Sequence, residues 1–226
     1  MIRYLYFIFS LWLLLCLSGC SQNTQDLSDT MKSAFIGPID TNISPTKIYT
    51  IPYASMLTRL GDNPEALLIL TWVEGKSSPH TLKWLSASKE LIATKSGRVI
   101  KTVNLKAGNL ISLRSSRPDP LSLNLTKANT PKEWHYQISW QPGYHSNYQA
   151  ISKFMVKDIE EKEILTKAKS LLHVVEQVTI PALNSTYQND YWLNPQNGHV
   201  EISKQYLFPG SKKIMLSIAK PYYGDQ

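Results

Sequence analysis

The sequence has very few cysteines, and both lie near its beginning. Only Cys16 and Cys20 occur among the 226 residues. If Cys16 is removed with a leader, as argued below, the mature chain keeps one cysteine and forms no internal disulfide. Packing and hydrogen bonds must then stabilise the fold. A content of 42% hydrophobic and 18% charged residues is typical of a globular domain rather than a disordered chain.

Sequence motifs typical of metal, catalytic or phosphate-binding sites are also scarce. The five histidines are scattered along the chain, with no His-x-x-x-His pair, and neither a Gly-x-Ser-x-Gly elbow nor a glycine-rich phosphate loop occurs. One acidic cluster could supply the two carboxylates of a glycosidase, but lysines interrupt it, which favours a solvated surface. It consists of Asp158, Glu160, Glu161 and Glu163. The sequence therefore predicts no catalytic site, no metal and no cofactor.

One apolar run stands out, at residues 7–17, after the basic Arg3. It is short for a membrane-spanning helix and ends in small residues, so it predicts a signal peptide. The closing Leu17-Ser18-Gly19-Cys20 resembles the bacterial lipobox, in which the cysteine thiol receives diacylglycerol and becomes the new N-terminus. The alternative is a plain apolar leader with an incidental cysteine.

Lipidation of Cys20 predicts where the protein acts. Each buried methylene of an acyl chain such as palmitate contributes about 0.8 kcal/mol, so two or three chains anchor a protein firmly to a membrane. Ser21 replaces the aspartate that retains many lipoproteins in the inner membrane, which implies the periplasmic face of the outer membrane. Removing Arg3 lowers the net charge from +7 to +6. Export excludes nucleic acid as a partner, so this charge either meets lipid phosphates or acidic glycans or only confers solubility.

Beyond the leader (residues 1–19), the chain divides into two predicted parts. Residues 20–46 hold the lipidated cysteine, a polar tether and a short helix at residues 26–37, in which Leu27, Met31 and Phe35 share one face. Residues 47–226 form a single β-rich domain. The helix is expected to cover the sheet, although a membrane-surface role is an alternative.

Strand patterns fill the β-rich domain. Apolar and polar residues alternate at 133–140 and 172–180, and turn residues predict hairpins at 90–105 and 187–207. Strands are also expected at residues 48–53 and at 66–73, the latter buried on both faces. Residues 158–169 fit either an exposed helix or a charged hairpin. About a dozen short strands predict a mainly β fold, one antiparallel sheet curled into a barrel or half-barrel.

Aromatic and basic residues are the candidates for binding. Aromatic rings with polar tips suit sugar stacking and wet protein interfaces, whereas the alternative is that they fill the core of a curled sheet. A proline-rich loop adds two arginines, for which solvation is the alternative. The candidate residues for binding a glycan or a protein partner are Arg114, Arg117, Trp134, Trp140, Tyr144 and Trp192.

Several motifs along the mature chain resemble those of the YjbF/GfcB lipoproteins, which are encoded with group 4 capsule and other exopolysaccharide secretion genes. The resemblance covers nearly the whole mature chain in order. The motifs are Ile51-Pro52-Tyr53-Ala54-Ser55-Met56 with Arg59-Leu60, Lys83-Trp84-Leu85-Ser86, Gly97-Arg98-Val99-Ile100-Lys101-Thr102, Asp119-Pro120-Leu121, Trp140, and the hairpin from Tyr191-Trp192 to Gly198.

The resemblance implies a barrel-like lipoprotein of the outer membrane. Its expected partners are the membrane, through the lipid anchor, and an outer-membrane β-barrel or a periplasmic export protein of the same operon, with polysaccharide as a further candidate. The first functional hypothesis is a non-enzymatic accessory factor in capsule or exopolysaccharide export or assembly. The second is a carrier or chaperone that holds a lipid or acyl chain in the hollow of the sheet. The third is a glycan-modifying enzyme.

Overall fold

The computed structural model describes residues 44–225, and these residues belong to one compact unit, Pro38–Gln226. Cys20, the leader at residues 1–19 and the helix predicted at residues 26–37 lie outside the described residues. The predicted boundaries at residues 19 and 46 therefore stay predictions. Among residues 44–225, no helix has both the length and the apolar character needed to cross a membrane.

Twelve strands form one antiparallel sheet, in the order β5-β4-β3-β2-β1-β12-β11-β10-β9-β8-β7-β6. Pairing of β1 with β12 joins the first and last strands of the sheet, and the other neighbours follow each other in sequence. The strands are β1 Ser55–Leu60, β2 Ala66–Glu74, β3 Thr81–Ser86, β4 Leu91–Lys95, β5 Arg98–Val103, β6 Asn109–Arg114, β7 Glu133–Gln141, β8 His145–Ile164, β9 Lys167–Ile180, β10 Ser185–Leu193, β11 Val200–Tyr206 and β12 Lys213–Lys220. The predicted mainly β, single curled sheet is confirmed.

The sheet curls until its two edges, β5 and β6, lie side by side. Side chains bridge this seam: the Leu110 backbone N–H donates to Thr102 Oγ1 at 3.0 Å, and the Leu105 N–H donates to Asn109 Oδ1 at 3.1 Å. These bonds occupy backbone groups that an open edge would expose to another chain. The result is a nearly closed barrel.

One predicted strand is instead a helix. Residues 48–53 have β-branched and aromatic residues, yet the helix α1 spans Pro45–Thr50. Ser44 caps it, because its side chain accepts a hydrogen bond from the Lys47 N–H, and Pro45 fixes the backbone of the first turn. The strand prediction was wrong because this local cap outweighs β propensity. The fold thus has a short helix near its N-terminal side, as expected, whereas the helix predicted at residues 26–37 stays a prediction.

The strand predicted at residues 66–73 is real but is not buried along its length. Leu67, Leu68 and Ile69 are buried, whereas Trp72 and Val73 are exposed. The apolar run therefore does not indicate burial on both faces throughout.

The two longest strands form an arm beyond their neighbours. β7 pairs with β8 only up to Lys153, whereas β8 and β9 stay paired to their turn at Leu165. Residues 158–169 therefore form the charged hairpin, and the alternative prediction of an exposed helix is wrong. The arm tip contacts the outer face of the barrel, where Ile164 packs with Ile202 and Trp192.

The inside of the barrel is one continuous hydrophobic core. The loop between β6 and β7 enters it through a short 3₁₀ helix at Pro120–Leu123, and Leu121 and Leu125 are buried there. Burial of each leucine contributes about 1.5–3 kcal/mol, so the loop is a fixed part of the fold. It fills part of the concave face.

Candidate functional site

A buried arginine organises the interior. Arg98 begins the edge strand β5 and is only 3% exposed. Its Nη1 atom lies 2.9 Å from a carboxylate oxygen of Glu176 on β9 and donates to the Tyr191 hydroxyl at 3.1 Å. Its Nε atom donates to the carboxylate of Asp119, in the loop that enters the barrel. We call Arg98, Asp119, Glu176 and Tyr191 the Arg98 cluster.

Glu176 is completely buried, yet hydrogen bonds surround its carboxylate. Asn189 Nδ2 and the Tyr191 hydroxyl each donate to one oxygen at 2.9 Å, and the Ser152 hydroxyl donates to the other. The guanidinium of Arg98 also lies 4.9 Å from the centre of the Trp134 ring. A buried charge is tolerated only when it is paired and hydrogen-bonded, and both conditions are met here.

The pKa of Glu176 shows which role its carboxylate suits. Burial raises this pKa, but the charge of Arg98 and the hydrogen bonds from Arg98, Ser152 and Asn189 outweigh burial and lower it overall. Burial raises the pKa of Tyr191 well above its usual range. Glu176 is therefore ionised and Tyr191 is neutral at physiological pH. A general acid of a glycosidase needs a raised carboxyl pKa, so Glu176 is unsuited to that role, and its ionised carboxylate pairs with Arg98.

The Arg98 cluster was not predicted from the sequence, although one signal pointed to it. In the alternating pattern of residues 172–180, Glu176 occupies the same phase as the buried Val174 and Val178. A charged residue on the apolar face of a strand requires a buried partner. Since Arg98 lies 78 residues away in sequence, local patterns could not identify it.

A cavity of about 420 Å³ remains inside the barrel beside the Arg98 cluster. Strands β1, β3, β11 and β12, the β10–β11 turn and the entering loop surround it. Its size falls within the range of small-molecule sites, about 300–1,000 Å³. The apolar residues of its wall include Met56, Leu82, Trp84, Leu121, Leu216 and Ile218.

A second charged group lies on the outer face. The Trp192 ring stacks on His173 with centroids 4.9 Å apart, and its Nε1 donates to Glu160 at 2.9 Å. Lys162 Nζ lies 4.7 Å from the centre of the Trp192 ring, and His173 also contacts Asp190 at 3.1 Å. Hydrogen bonds from Lys162 and Trp192 lower the pKa of Glu160 to about 2. We call these five residues the Trp192 cluster.

The two candidate arginines lie near each other at the start of the β6–β7 connection, and both are exposed. Arg114 ends β6, and Arg117 follows it. The carbonyl of Arg117 accepts a hydrogen bond from Trp134 Nε1 at 3.0 Å, so Arg117 and the candidate Trp134 are neighbours. Trp134 itself is only 6% exposed and stacks on Tyr136 in the core.

The remaining candidates do not come together at one site. Trp140 is buried and stacks on His145, at 4.4 Å between centroids, and Tyr144 is fully exposed on the β7–β8 turn. Trp192 is buried within its own cluster on the outer face. Packing therefore explains the positions of the three tryptophans, and a role of the six residues in binding stays a prediction. In the described part of the chain, no group of three or more histidine, cysteine or carboxylate side chains could hold a metal ion.

Known proteins resemble this chain in sequence. It is 27% identical over 208 residues to the uncharacterized lipoprotein GfcB of Escherichia coli K12, an alignment that covers 92% of this chain and 94% of GfcB. It is 22% identical over 193 residues to the uncharacterized lipoprotein YjbF of the same strain, covering 85% of this chain and 87% of YjbF.

A solved structure shares the fold. The crystal structure of the hypothetical lipoprotein YmcC from Escherichia coli K12 is similar with a TM-score of 0.74 and 24% identity, over 90% of this chain and 98% of YmcC. The family model described as "Group 4 capsule polysaccharide lipoprotein gfcB, YjbF" matches residues 28–218, well over half of the sequence. The chain therefore belongs to the YjbF family of group 4 capsule polysaccharide lipoproteins.

Proposed function

We propose that this chain is a non-enzymatic accessory lipoprotein of capsule or exopolysaccharide export, anchored through Cys20 to the periplasmic face of the outer membrane. The match of residues 28–218 to a capsule lipoprotein family carries the proposal. The lipobox-like ending at Cys20 supplies the anchor, and Ser21 after it favours the outer membrane. Its proposed partners are an outer-membrane β-barrel or a periplasmic export protein of the same operon, and the polysaccharide.

The chemistry of the carboxylates supports a role without catalysis. The pKa values of Glu133, Glu160 and Glu176 are all lowered, by hydrogen bonds or neighbouring cations. Glycoside hydrolysis needs one carboxyl group that stays protonated near neutral pH, which requires a raised pKa. Ionised carboxylates paired with arginine, lysine or histidine are suited to holding the fold or a partner.

Deletion of the gene in its natural host tests the export role. We expect surface polysaccharide to fall while the pool of cell-associated precursor is maintained, because assembly is blocked after synthesis. Unchanged surface polysaccharide, or an equal loss of precursor, would contradict the proposal. The measurement is quantitative extraction of both fractions from the same cultures.

Complementation tests the anchor with a matched pair of cysteine variants. Cys20→Ala removes the acylated thiol and should fail to restore surface polysaccharide. Cys16→Ala changes a residue that leaves with the leader and should restore it fully. Full rescue by Cys20→Ala, with the protein recovered in the soluble periplasmic fraction, would show that the lipid anchor is dispensable.

Site-specific photocrosslinking identifies the partner. A photoreactive amino acid at Tyr144 or Arg117 projects from an exposed turn or loop, so it leaves the core undisturbed. We expect a crosslink in intact envelopes to an outer-membrane β-barrel or a periplasmic export protein. A matched position at Lys89, on the exposed β3–β4 turn, reports non-specific contacts. Equal labelling at all three positions would contradict a specific interface at these candidates.

A further inference from the structure

Apolar side chains form about half of the wall of the cavity inside the barrel. Met56 on β1, Trp84 on β3 and Leu216 on β12 are buried core residues that line it. Leu82 and Ile218 also line it and are only half-buried, so their side chains border open space. Removing apolar ligand surface from water at such walls contributes about 25 cal/mol per Å².

Polar side chains in the lining are largely engaged with the protein itself. Asn124, Asn194 and Asn197 accept hydrogen bonds from backbone N–H groups of their own turns, at 2.9–3.0 Å. Thr94 accepts from Trp84 Nε1 at 2.9 Å, and the Ser122 hydroxyl donates to the Asp119 carbonyl at 2.6 Å. A sugar hydroxyl entering the cavity would have to compete with these bonds, whereas an apolar ligand would not.

The lining is also poor in positive charge. It contains neither lysine nor arginine, and its one carboxylate, Glu201, is paired with Lys169 at 2.7 Å. A phosphate or an acidic glycan buried here would have neither lysine nor arginine to pair with, which makes its transfer from water unfavourable. The charge distribution thus favours an uncharged, apolar occupant.

We infer that this cavity is a binding site for a single acyl chain, whose polar end stays at the mouth near the exposed Tyr223. Each enclosed methylene contributes about 0.8 kcal/mol, so a chain of moderate length binds without any ionic contact. The acyl chain comes either from the lipid on Cys20 or from another membrane lipid. The inference does not depend on the export role, since a protein with another task could use the same site.

Photolabelling with a fatty acid tests the site in the intact protein. Cells that produce the full chain are fed a diazirine analogue of palmitate, which enters their lipids, and envelopes are irradiated before peptide mass spectrometry. We expect labelled peptides from the cavity wall, around Leu82, Trp84 and Leu216. Label in wild type that is absent from these peptides would overturn the inference. Protection of the same peptides from hydrogen exchange by purified capsular oligosaccharide would then assign the cavity to a glycan.

Cavity-filling variants separate binding from membrane proximity. Leu82→Trp and Ile218→Trp place a larger side chain into the open space and should each lower labelling of the wall by about tenfold, equivalent to 1.4 kcal/mol. Ile111→Trp, on the exposed face of β6, is the matched control and should change nothing. Protease resistance confirms folding of each variant. Unchanged labelling in both folded filling variants would overturn the inference.

The peptides joined by the label distinguish the two sources of the acyl chain. A crosslink between a wall peptide and the N-terminal peptide that carries acylated Cys20 identifies the protein's own lipid. Label on the wall without that peptide identifies another membrane lipid. Both results support an acyl-chain site, and the loss or recovery of surface polysaccharide in the deletion strain is measured separately.

Discussion

The Arg98 cluster and the Trp192 cluster combine the same kinds of side chain on opposite faces of one sheet. Each has a carboxylate, a cation and an aromatic ring in contact. Glu176 in the first is fully buried, whereas the Glu160 side chain in the second is 38% exposed. Water therefore competes for the outer contacts and not for the inner ones. The same residue types therefore stabilise the fold where they are buried and form weaker, solvent-screened contacts where they are exposed.

Their positions in the fold differ as well. Arg98 on the edge strand β5 contacts β9, β10 and the entering loop. It therefore holds one edge of the sheet against strands on the other side of the barrel. Gln205 on β11 assists, because its side chain accepts from the Val99 N–H at 3.1 Å and donates to the Gly97 carbonyl at 2.9 Å. The Trp192 cluster instead attaches the β8–β9 arm to the outer face.

The largest expected effect comes from removing the inner cation. Arg98→Met leaves Glu176 buried without its partner and should lower the free energy of unfolding by about 3–5 kcal/mol. The matched control is Arg59→Met, since Arg59 lies 3.9 Å from Glu65 in an exposed pair and should contribute less than about 1 kcal/mol. Denaturant unfolding of the purified proteins measures both.

A double variant tests whether the unpaired carboxylate of Glu176 causes the loss of stability. Arg98→Met combined with Glu176→Gln removes the fully buried one of the two carboxylates left unpaired, Glu176 and Asp119, and should recover part of the lost stability. If Arg98→Met lowers the free energy of unfolding no more than Arg59→Met does, the buried Arg98 cluster contributes no more stability than an exposed ion pair. That result would contradict the prediction.

An intermediate effect is expected at the glycine beside Arg98. Gly97 has φ +81°, and an added Cβ would lie 2.3 Å from Val200 Cβ inside the barrel. Gly210 has a similar φ of +78°, but nothing lies within 4 Å of its added Cβ. Gly97→Ala should therefore destabilise the protein by about 1–3 kcal/mol more than Gly210→Ala, because only the first overpacks the interior. Equal shifts in the denaturant midpoint would indicate that Val200 moves aside freely.

The smallest effect concerns acid titration of the outer cluster. The pKa of Glu160 is about 2 in the folded protein, below the value of about 4.3 typical of an unfolded chain. The unfolded state thus binds the proton more readily. Stability from Glu160 is present above about pH 4.3 and is lost as the pH falls towards 2.

Thermal unfolding between pH 6 and pH 2 checks this sign. The difference in stability between wild type and Glu160→Gln should shrink on acidification, and it should stay below about 1 kcal/mol because solvent screens exposed pairs. Glu161→Gln, which removes a carboxylate that accepts a hydrogen bond from Ser170, is the control on the same strand. A difference that grows towards low pH would contradict the assignment of Glu160 as the lowered group.

Much of the strand pattern could be predicted because it depends on neighbouring residues. The alternation at residues 133–140 places Trp134, Tyr136 and Ile138 on the buried face of β7, as expected. The turn residues at 194–198 correctly predicted the β10–β11 hairpin. The strand expected at residues 48–53 was wrong, because the pattern gave more weight to β propensity than to the cap at Ser44.

The candidate binding residues were harder to assign from sequence. Trp134, Trp140 and Trp192 were selected because aromatic rings suit sugars, yet each is packed against neighbours that come from other strands. The pairing of Glu176 with Arg98 depends on how far the sheet curls. A single sequence carries no direct signal of that curvature, since it arises from the sum of many strand contacts.

The sequence alone predicted a leader at residues 1–19, a family resemblance and a series of antiparallel hairpins, because each depends on residues close together in the chain. Three features are visible only in the tertiary structure. Strand β5 lies beside β6, Arg98 pairs with Glu176 and Asp119 in the interior, and a cavity remains inside the barrel. These features join residues that are far apart in sequence, and they depend on the closure of the sheet and on the exclusion of water from its inner face.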